Sequence, residues 1–414
     1  MHSGNSKKSA LACLVFGLAP PCGAQPALSL TDAIRQALAA QPSLQAEAER
    51  VEVAQGLRKQ AGLFPNPEFQ FQNENLRPGQ TYARDVDTLA LINQPLDILG
   101  KRRRRMEVAD QGVARARAQL QLSRFQVARN VKLAYWAARG AQETRDVLRT
   151  SVENFQKIVD YHAAQLSTGA IAEQDYLRVR LEGERLKVSA DVASLDAGQA
   201  RLELLKEMGQ TRFDPVTLTD PLEPVAPTQP LPLDTVVSQR AEVLAARAAL
   251  REAEANARLQ QVLARPDLNV TYGYKRTQLP DALSGINTAM ASLRITLPLT
   301  DKNQGNRAAA DAEVRRQQRL LAVAEAAVRA EYAGALQEYE FRRDEFAQTL
   351  EPLRQHAAEI SRIAGAAYAE GGTDLLRLLD AERVRLEAEL ARTRGLVEYR
   401  QSIARLEAAE GVEP

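Results

Sequence analysis

Hydrophobic and polar positions alternate along this chain with two different periods, and the points where the period changes lay out its plan. From Leu28 to Leu63 apolar residues recur at helical spacing behind Ser29-Leu30-Thr31-Asp32, which predicts one helix with Thr31 or Asp32 as its N-cap. Phe64-Pro65-Asn66-Pro67 ends that helix. Glu68-Phe69-Gln70-Phe71-Gln72 then alternates polar with aromatic, placing a strand at about 66–75. After a turn around Pro78-Gly79, an apolar, β-branched run predicts a second strand at about 86–97. Beyond Gly100 a helical tract runs without a break from Lys101 to Leu166, which at about 1.5 Å per residue reaches on the order of 100 Å. Ser167-Thr168-Gly169-Ala170 interrupts it, and a further helix, Ile171 to Met208, closes at Gly209, a suitable C′ residue.

Residues 211–232 hold six prolines and predict an extended linker. The pattern then starts over. A helix from Leu233 to Ala264 is stopped by Pro266, 199 positions after Pro67, and alternating runs place strands at about 267–276 and 287–299. Pro298 follows Pro95 by 203 positions, and Gly371 and Gly411 follow Gly169 and Gly209 by 202 each. Four landmarks whose offsets agree within a few residues point to a duplication, 25–210 and 233–411, with a tail at 412–414. The stretch Leu89–Arg105 and its echo Ser292–Arg307 are then two crossings of one junction, from strand to charged helix.

Composition narrows the class. Only 5% of residues are aromatic, while Ala, Leu, Glu, Gln and Arg fill long tracts, as in extended helices rather than compact cores. Residues 1–24 read as a signal peptide: Lys7 and Lys8, an apolar stretch from Ser9 to Ala19, and small residues at Cys22-Gly23-Ala24. Removing them takes both cysteines, Cys13 and Cys22, and changes the net charge from +1 to −1. That balance excludes a nucleic-acid binder, and lipidation at Cys22 is disfavoured by Pro20-Pro21. No later run of 18 apolar residues exists, so a membrane position requires strands.

Three of the four predicted strands have one apolar and one polar face, which fits lipid outside and water inside. Four strands cannot close a barrel, and open edges are not tolerated in lipid, so several chains must complete it. Alone, the Ala-rich helices, with stripes such as Ala249, Ala253 and Ala257, would read as a coiled coil, and a soluble periplasmic adaptor with coiled-coil hairpins is the competing class.

Leu63-Phe64-Pro65-Asn66-Pro67-Glu68, Gln94-Pro95-Leu96, Leu99-Gly100-Lys101-Arg102, the Tyr368-x-x-Gly371 step and Leu378-Leu379-Asp380-Ala381 resemble the TolC-like outer-membrane efflux proteins over nearly the whole mature chain. The first and third motifs are most similar to the heavy-metal branch, the outer-membrane partners of cobalt–zinc–cadmium pumps. The resemblance implies a mainly α fold: a homotrimer with a 12-stranded transmembrane β-barrel, continued by a periplasmic α-barrel of helical hairpins. It also implies an outer-membrane location in a Gram-negative bacterium, a periplasmic adaptor and an inner-membrane RND pump as partners, and passive export of divalent metal cations. A type I secretion or drug-efflux duct is the alternative within the same class.

No catalytic spacing, cofactor motif or metal-ligand cluster occurs, and His162 and His356, each isolated on a helix, read as surface or packing residues. The resemblance places an adaptor-contacting pair of hairpin tips at Ser167, Thr168, Gly169, Ala170 and at Gly371, Gly372, Thr373. It makes Asp175 and Tyr368 a gate lock and Asp380 a member of an acidic ring, while Arg377 stands where the second ring aspartate belongs. Lys101, Arg102, Arg103, Arg104 and Arg105 oppose the helix dipole, which predicts compensation from outside the helix, by anionic headgroups of the outer membrane's inner leaflet.

Overall fold

A computed structural model describes residues 26–76, 78–79, 86–226, 229–278 and 285–412. The predicted signal peptide and Cys22 lie outside the described residues. A short strand β1 (Ala27–Leu28) leads into α1 (Leu30–Ala40) and α2 (Pro42–Ala61). The single helix expected here is two, because Pro42 starts a new helix and Gln41 keeps an extended ψ of 117°. Ser29 is the N-cap of α1, its hydroxyl accepting from the Asp32 amide at 3.2 Å. Strands β2 (Glu68–Glu74) and β3 (Asp87–Leu96) follow, then α3 (Lys101–Ser167), one helix of 67 residues, and α4 (Glu173–Glu207).

The proline-rich linker is anchored rather than free. Within it β4 (Thr217–Leu218) pairs in parallel with β1. The second half repeats the order with α5 (Leu233–Gln239), α6 (Ala241–Leu263), β5 (Leu268–Thr277), β6 (Ile286–Ile295) and α7 (Gln304–Glu345). A π-helical turn, Phe346–Leu350, joins α7 to α8 (Glu351–Ala369), and α9 (Leu375–Glu410) ends the fold. Pro352, in the first turn of α8, has no N–H for the carbonyl four residues back, and the widened turn absorbs that mismatch. At this level Gly395 lets α9 approach closely, since a Cβ there would fall 2.1 Å from the Leu350 Cδ1.

Gly169, Gly209, Gly371 and Gly411 all have φ between 71° and 75°. Each closes its helix with the same pair of bonds; at Gly169 these are Gly169 N–H to Leu166 O at 3.0 Å and Ala170 N–H to Gln165 O at 2.9 Å.

Where the strands' helices meet the long hairpins, two apolar clusters form the core. One gathers Leu28, Val131, Tyr135, Trp136, Leu204 and Met208, the other Val236, Val237, Val328, Tyr332, Tyr339 and Tyr399. Both use a buried tyrosine to hold an incoming segment. The Tyr135 hydroxyl lies 3.0 Å from Leu28 O and also meets the Asp220 carboxylate, and the Tyr332 hydroxyl donates to Leu231 O at 2.6 Å. Burial, with Asp220 beside it, pushes the Tyr135 phenol far up, so it stays protonated.

Glu351 ties α8 to α9, accepting from Arg354 and Arg392 at 2.7 Å each. The Arg354 bond foremost, with Arg392 beside it, holds its carboxyl down at about 2. A carboxylate depressed on folding adds stability that is present above its unfolded value and lost as pH falls towards 2. Glu351→Gln is therefore expected to melt below the wild type at neutral pH, with the gap closing as melts are repeated down to about pH 2; a gap independent of pH would refute the assignment.

Candidate gate and membrane surfaces

The four long strands form one antiparallel sheet in the order β2-β3-β5-β6. Register puts Phe69, Ile92, Tyr272 and Ala291 in one row, and Phe71, Ala90, Tyr274 and Ala289 in the next row on the same face. This apolar face is open: Phe69 is 71% and Leu293 60% exposed. The opposite face carries Glu68, Asn93, Thr271 and Ser292 in one row and Gln70, Leu91, Gly273 and Met290 in the next. On it, side chains cover one another. Leu89 and Leu91 are each only 6% exposed, and Leu91 lies over Gly273. Among the described residues β2 pairs only with β3 and β6 only with β5, so each keeps one unpaired edge. No described helix is long and apolar enough to cross a membrane.

At the junction below this sheet, four members of the basic run are held by protein groups rather than left for lipid. Lys101, 8% exposed, reaches Asp267 at 2.7 Å. The Arg102 Nε donates to Gly62 O at 2.6 Å, and its guanidinium lies 4.2 Å above the Phe64 ring. Arg104 pairs with Glu107 and Arg105 with Asp97, both at 2.5 Å. Asp97 also accepts from the Arg102 amide at 3.0 Å, so a carboxylate outside α3 offsets its dipole and the charge of the run together. Only Arg103 of the five is exposed.

At the far end of the helices, Ser167, Thr168, Gly169 and Ala170 are exposed at the first hairpin tip, as are Gly371 and Gly372 at the second, with Thr373 half-buried. Asp374 caps α9, accepting from the Arg377 amide at 2.9 Å, and the Arg377 side chain is exposed. Asp380 pairs with Arg383 at 2.6 Å and lines a groove of about 670 Å³ between α3, α4 and α9, which Phe155 and Ile158 also line.

Tyr368 and Asp175, which the resemblance makes a lock, are not the bonded pair here. Tyr368 bonds instead to His162 Nε2 at 2.8 Å, and Asp175 sits 3.9 Å from Arg178. Asp175 is still close enough that its charge, after burial and Tyr161, helps push the Tyr368 phenol up. His162, which spacing alone made a surface or packing residue, is fully buried and joins α3 to α8 across 206 positions. No sequence period could reveal that link. His356 is exposed, and no cluster of three His, Cys, Asp or Glu suited to a metal occurs among the described residues.

The fold is shared with known proteins. The chain is 26% identical over 281 residues to the cobalt-zinc-cadmium resistance protein CzcC of Cupriavidus metallidurans, covering 67% of this chain and 65% of that protein, just under two thirds of its length. Among solved structures, the open state of the Neisseria gonorrhoeae MtrE outer-membrane channel superposes with a TM-score of 0.76 at 22% identity, covering 93% of this chain and 89% of that one. CusC superposes at 0.74 with 20% identity, covering 92% of each chain. Both show the same mainly helical fold. The family model for outer membrane efflux proteins matches twice, over residues 33–210 and 233–412, and on that extent of match the chain belongs to the outer membrane efflux protein family.

Proposed function

We propose that this protein is the outer-membrane duct of a tripartite efflux system, in which three copies close a barrel of twelve strands and a pump and adaptor deliver the substrate. The observation that carries the reading is the four-stranded sheet, with an exposed apolar face, an opposite face that carries the polar row Glu68, Asn93, Thr271 and Ser292, and an unpaired edge at each side, carried on helical hairpins. In lipid those edges must be paired, and β6 of one copy meeting β2 of the next supplies the partner. The duct itself is passive, and the inner-membrane pump drives export through it. The twofold match of the family model, the paired tyrosine bonds and the four like glycine caps support descent of 25–210 and 233–411 from one ancestral unit.

The hairpin tips are the proposed adaptor contact, and Asp175, Tyr368 and Asp380 the proposed gate residues. Arg103, exposed beside the sheet's base, is the member of the basic run proposed to meet headgroups. Divalent heavy-metal cations are the proposed substrate, supported by the likeness to CzcC. The test is complementation: supplied to a strain lacking its own copy, this chain should restore tolerance to cobalt, zinc and cadmium at least tenfold more than tolerance to organic dyes. Restored dye tolerance without metal tolerance would make it a drug duct instead.

A further inference from the structure

The Tyr368 hydroxyl has a single proton, and two acceptors stand near it. One is His162 on α3, whose ring stacks on Tyr368 with centroids 5.8 Å apart. The His162 Nδ1 lies 2.7 Å from the Ile158 carbonyl, which can only accept, so Nδ1 carries the ring hydrogen. Nε2 is left with its lone pair towards the Tyr368 oxygen, 2.8 Å away, and Tyr368 donates to it. The other acceptor is Asp175 on α4, half-buried and loosely placed 3.9 Å from Arg178. One proton cannot serve both.

We infer that His162 is a positioning residue of the gate: by accepting the Tyr368 proton it ties the second hairpin to the first in an arrangement that excludes the Tyr368–Asp175 bond. His162 and Asp175 therefore bias the gate in opposite directions, Asp175 towards shut and His162 towards unlocked. The inference rests on the proposed role of Asp175 and Tyr368. His162 competes well because its own ring is shut off from water. It is 0% exposed, so its Nε2 has no solvent partner of its own, whereas the half-buried Asp175 competes with solvent. One net hydrogen bond of this kind shifts a two-state equilibrium by roughly fivefold.

The experiment records open probability of single channels of the purified full-length protein in planar bilayers. Asp175→Ala should raise it by roughly fivefold and His162→Phe, which keeps the stacked ring but cannot accept, should lower it by a similar factor. His162→Gln, whose amide oxygen can accept from Tyr368, should stay near the wild type. In a Tyr368→Phe background, His162→Phe should have no further effect, which a purely structural role would not predict. Asp175→Ala raising open probability while His162→Phe leaves it unchanged or also raises it would overturn this inference and leave the lock standing. Unchanged openings in both Asp175→Ala and Tyr368→Phe would overturn the lock itself, and with it the competition.

Discussion

Gly273→Val should leave almost no trimer in the outer membrane. Gly273 sits in the middle of β5, opposite Leu91 and Met290, and a Cβ there would fall 2.2 Å from Ala90 O and 2.8 Å from Leu91 Cα. Both clashes are with backbone. The strand that would have to move, β3, is held between β2 and β5 along its length, so it cannot yield without breaking two ladders. The cost should exceed the ~1–3 kcal/mol typical of overpacking, where side chains can give way. Gly198→Ala is the matched control: it lies inside α4 with nothing within 4 Å of the added carbon, and alanine is the better helix former by ~1 kcal/mol. Unheated gel electrophoresis of outer-membrane fractions reads the outcome, and equal trimer bands from the two variants would refute the register across β3 and β5.

Ile92→Arg is expected to be nearly as damaging, and Asn93→Arg, one residue along, is not. Ile92 lies between Phe69 and Tyr272 at the centre of the apolar face, while Asn93 lies between Glu68 and Thr271 on the polar one. An arginine facing lipid near the middle of the bilayer costs about 2–4 kcal/mol per copy. The same cation facing the lumen stays hydrated and adds three positive charges to the channel wall, which should shift ion selectivity towards anions. Trimer yield separates the two variants, and reversal potentials across a salt gradient read the second. Equal loss of both trimers would show that the two faces are not lipid and lumen.

The sheet could be read in advance because its signal is local. Alternation in Glu68–Gln72 and Leu268–Lys275 needs only neighbouring residues, and the strands lie within a few residues of where that period places them. The helix ends at Gly169, Gly209, Gly371 and Gly411 were legible for the same reason: a left-handed φ after a helical run is nearly reserved for glycine. The break at Gln41 had a sequence signal in Pro42, overridden by the helical period continuing through it. The break at Arg240 had none. There Arg240, 3% exposed, turns inward to its neighbour Glu242 and to Glu331 and the Ala408 carbonyl, two distant partners that only the folded chain assembles.

The charged and gate residues divide along the same line. The basic run at Lys101–Arg105 was plain in the sequence, and so was its conflict with the helix dipole. Its resolution by Asp97 and Asp267 was not, since one partner comes from the loop before α3 and the other from the residue just before β5. What the sequence determined by itself was the order of the long helices and the four long strands, the apolar face of the sheet and the glycine-capped helix ends, because periodicity and backbone preference act within a turn or two of chain. The tertiary structure alone decided that His162 holds Tyr368, that a π turn separates α7 from α8 against Gly395, and that four of five basic side chains are engaged. Those outcomes depend on which faces of distant helices are brought together, and a buried polar atom bonds to whatever that meeting places within about 3 Å of it.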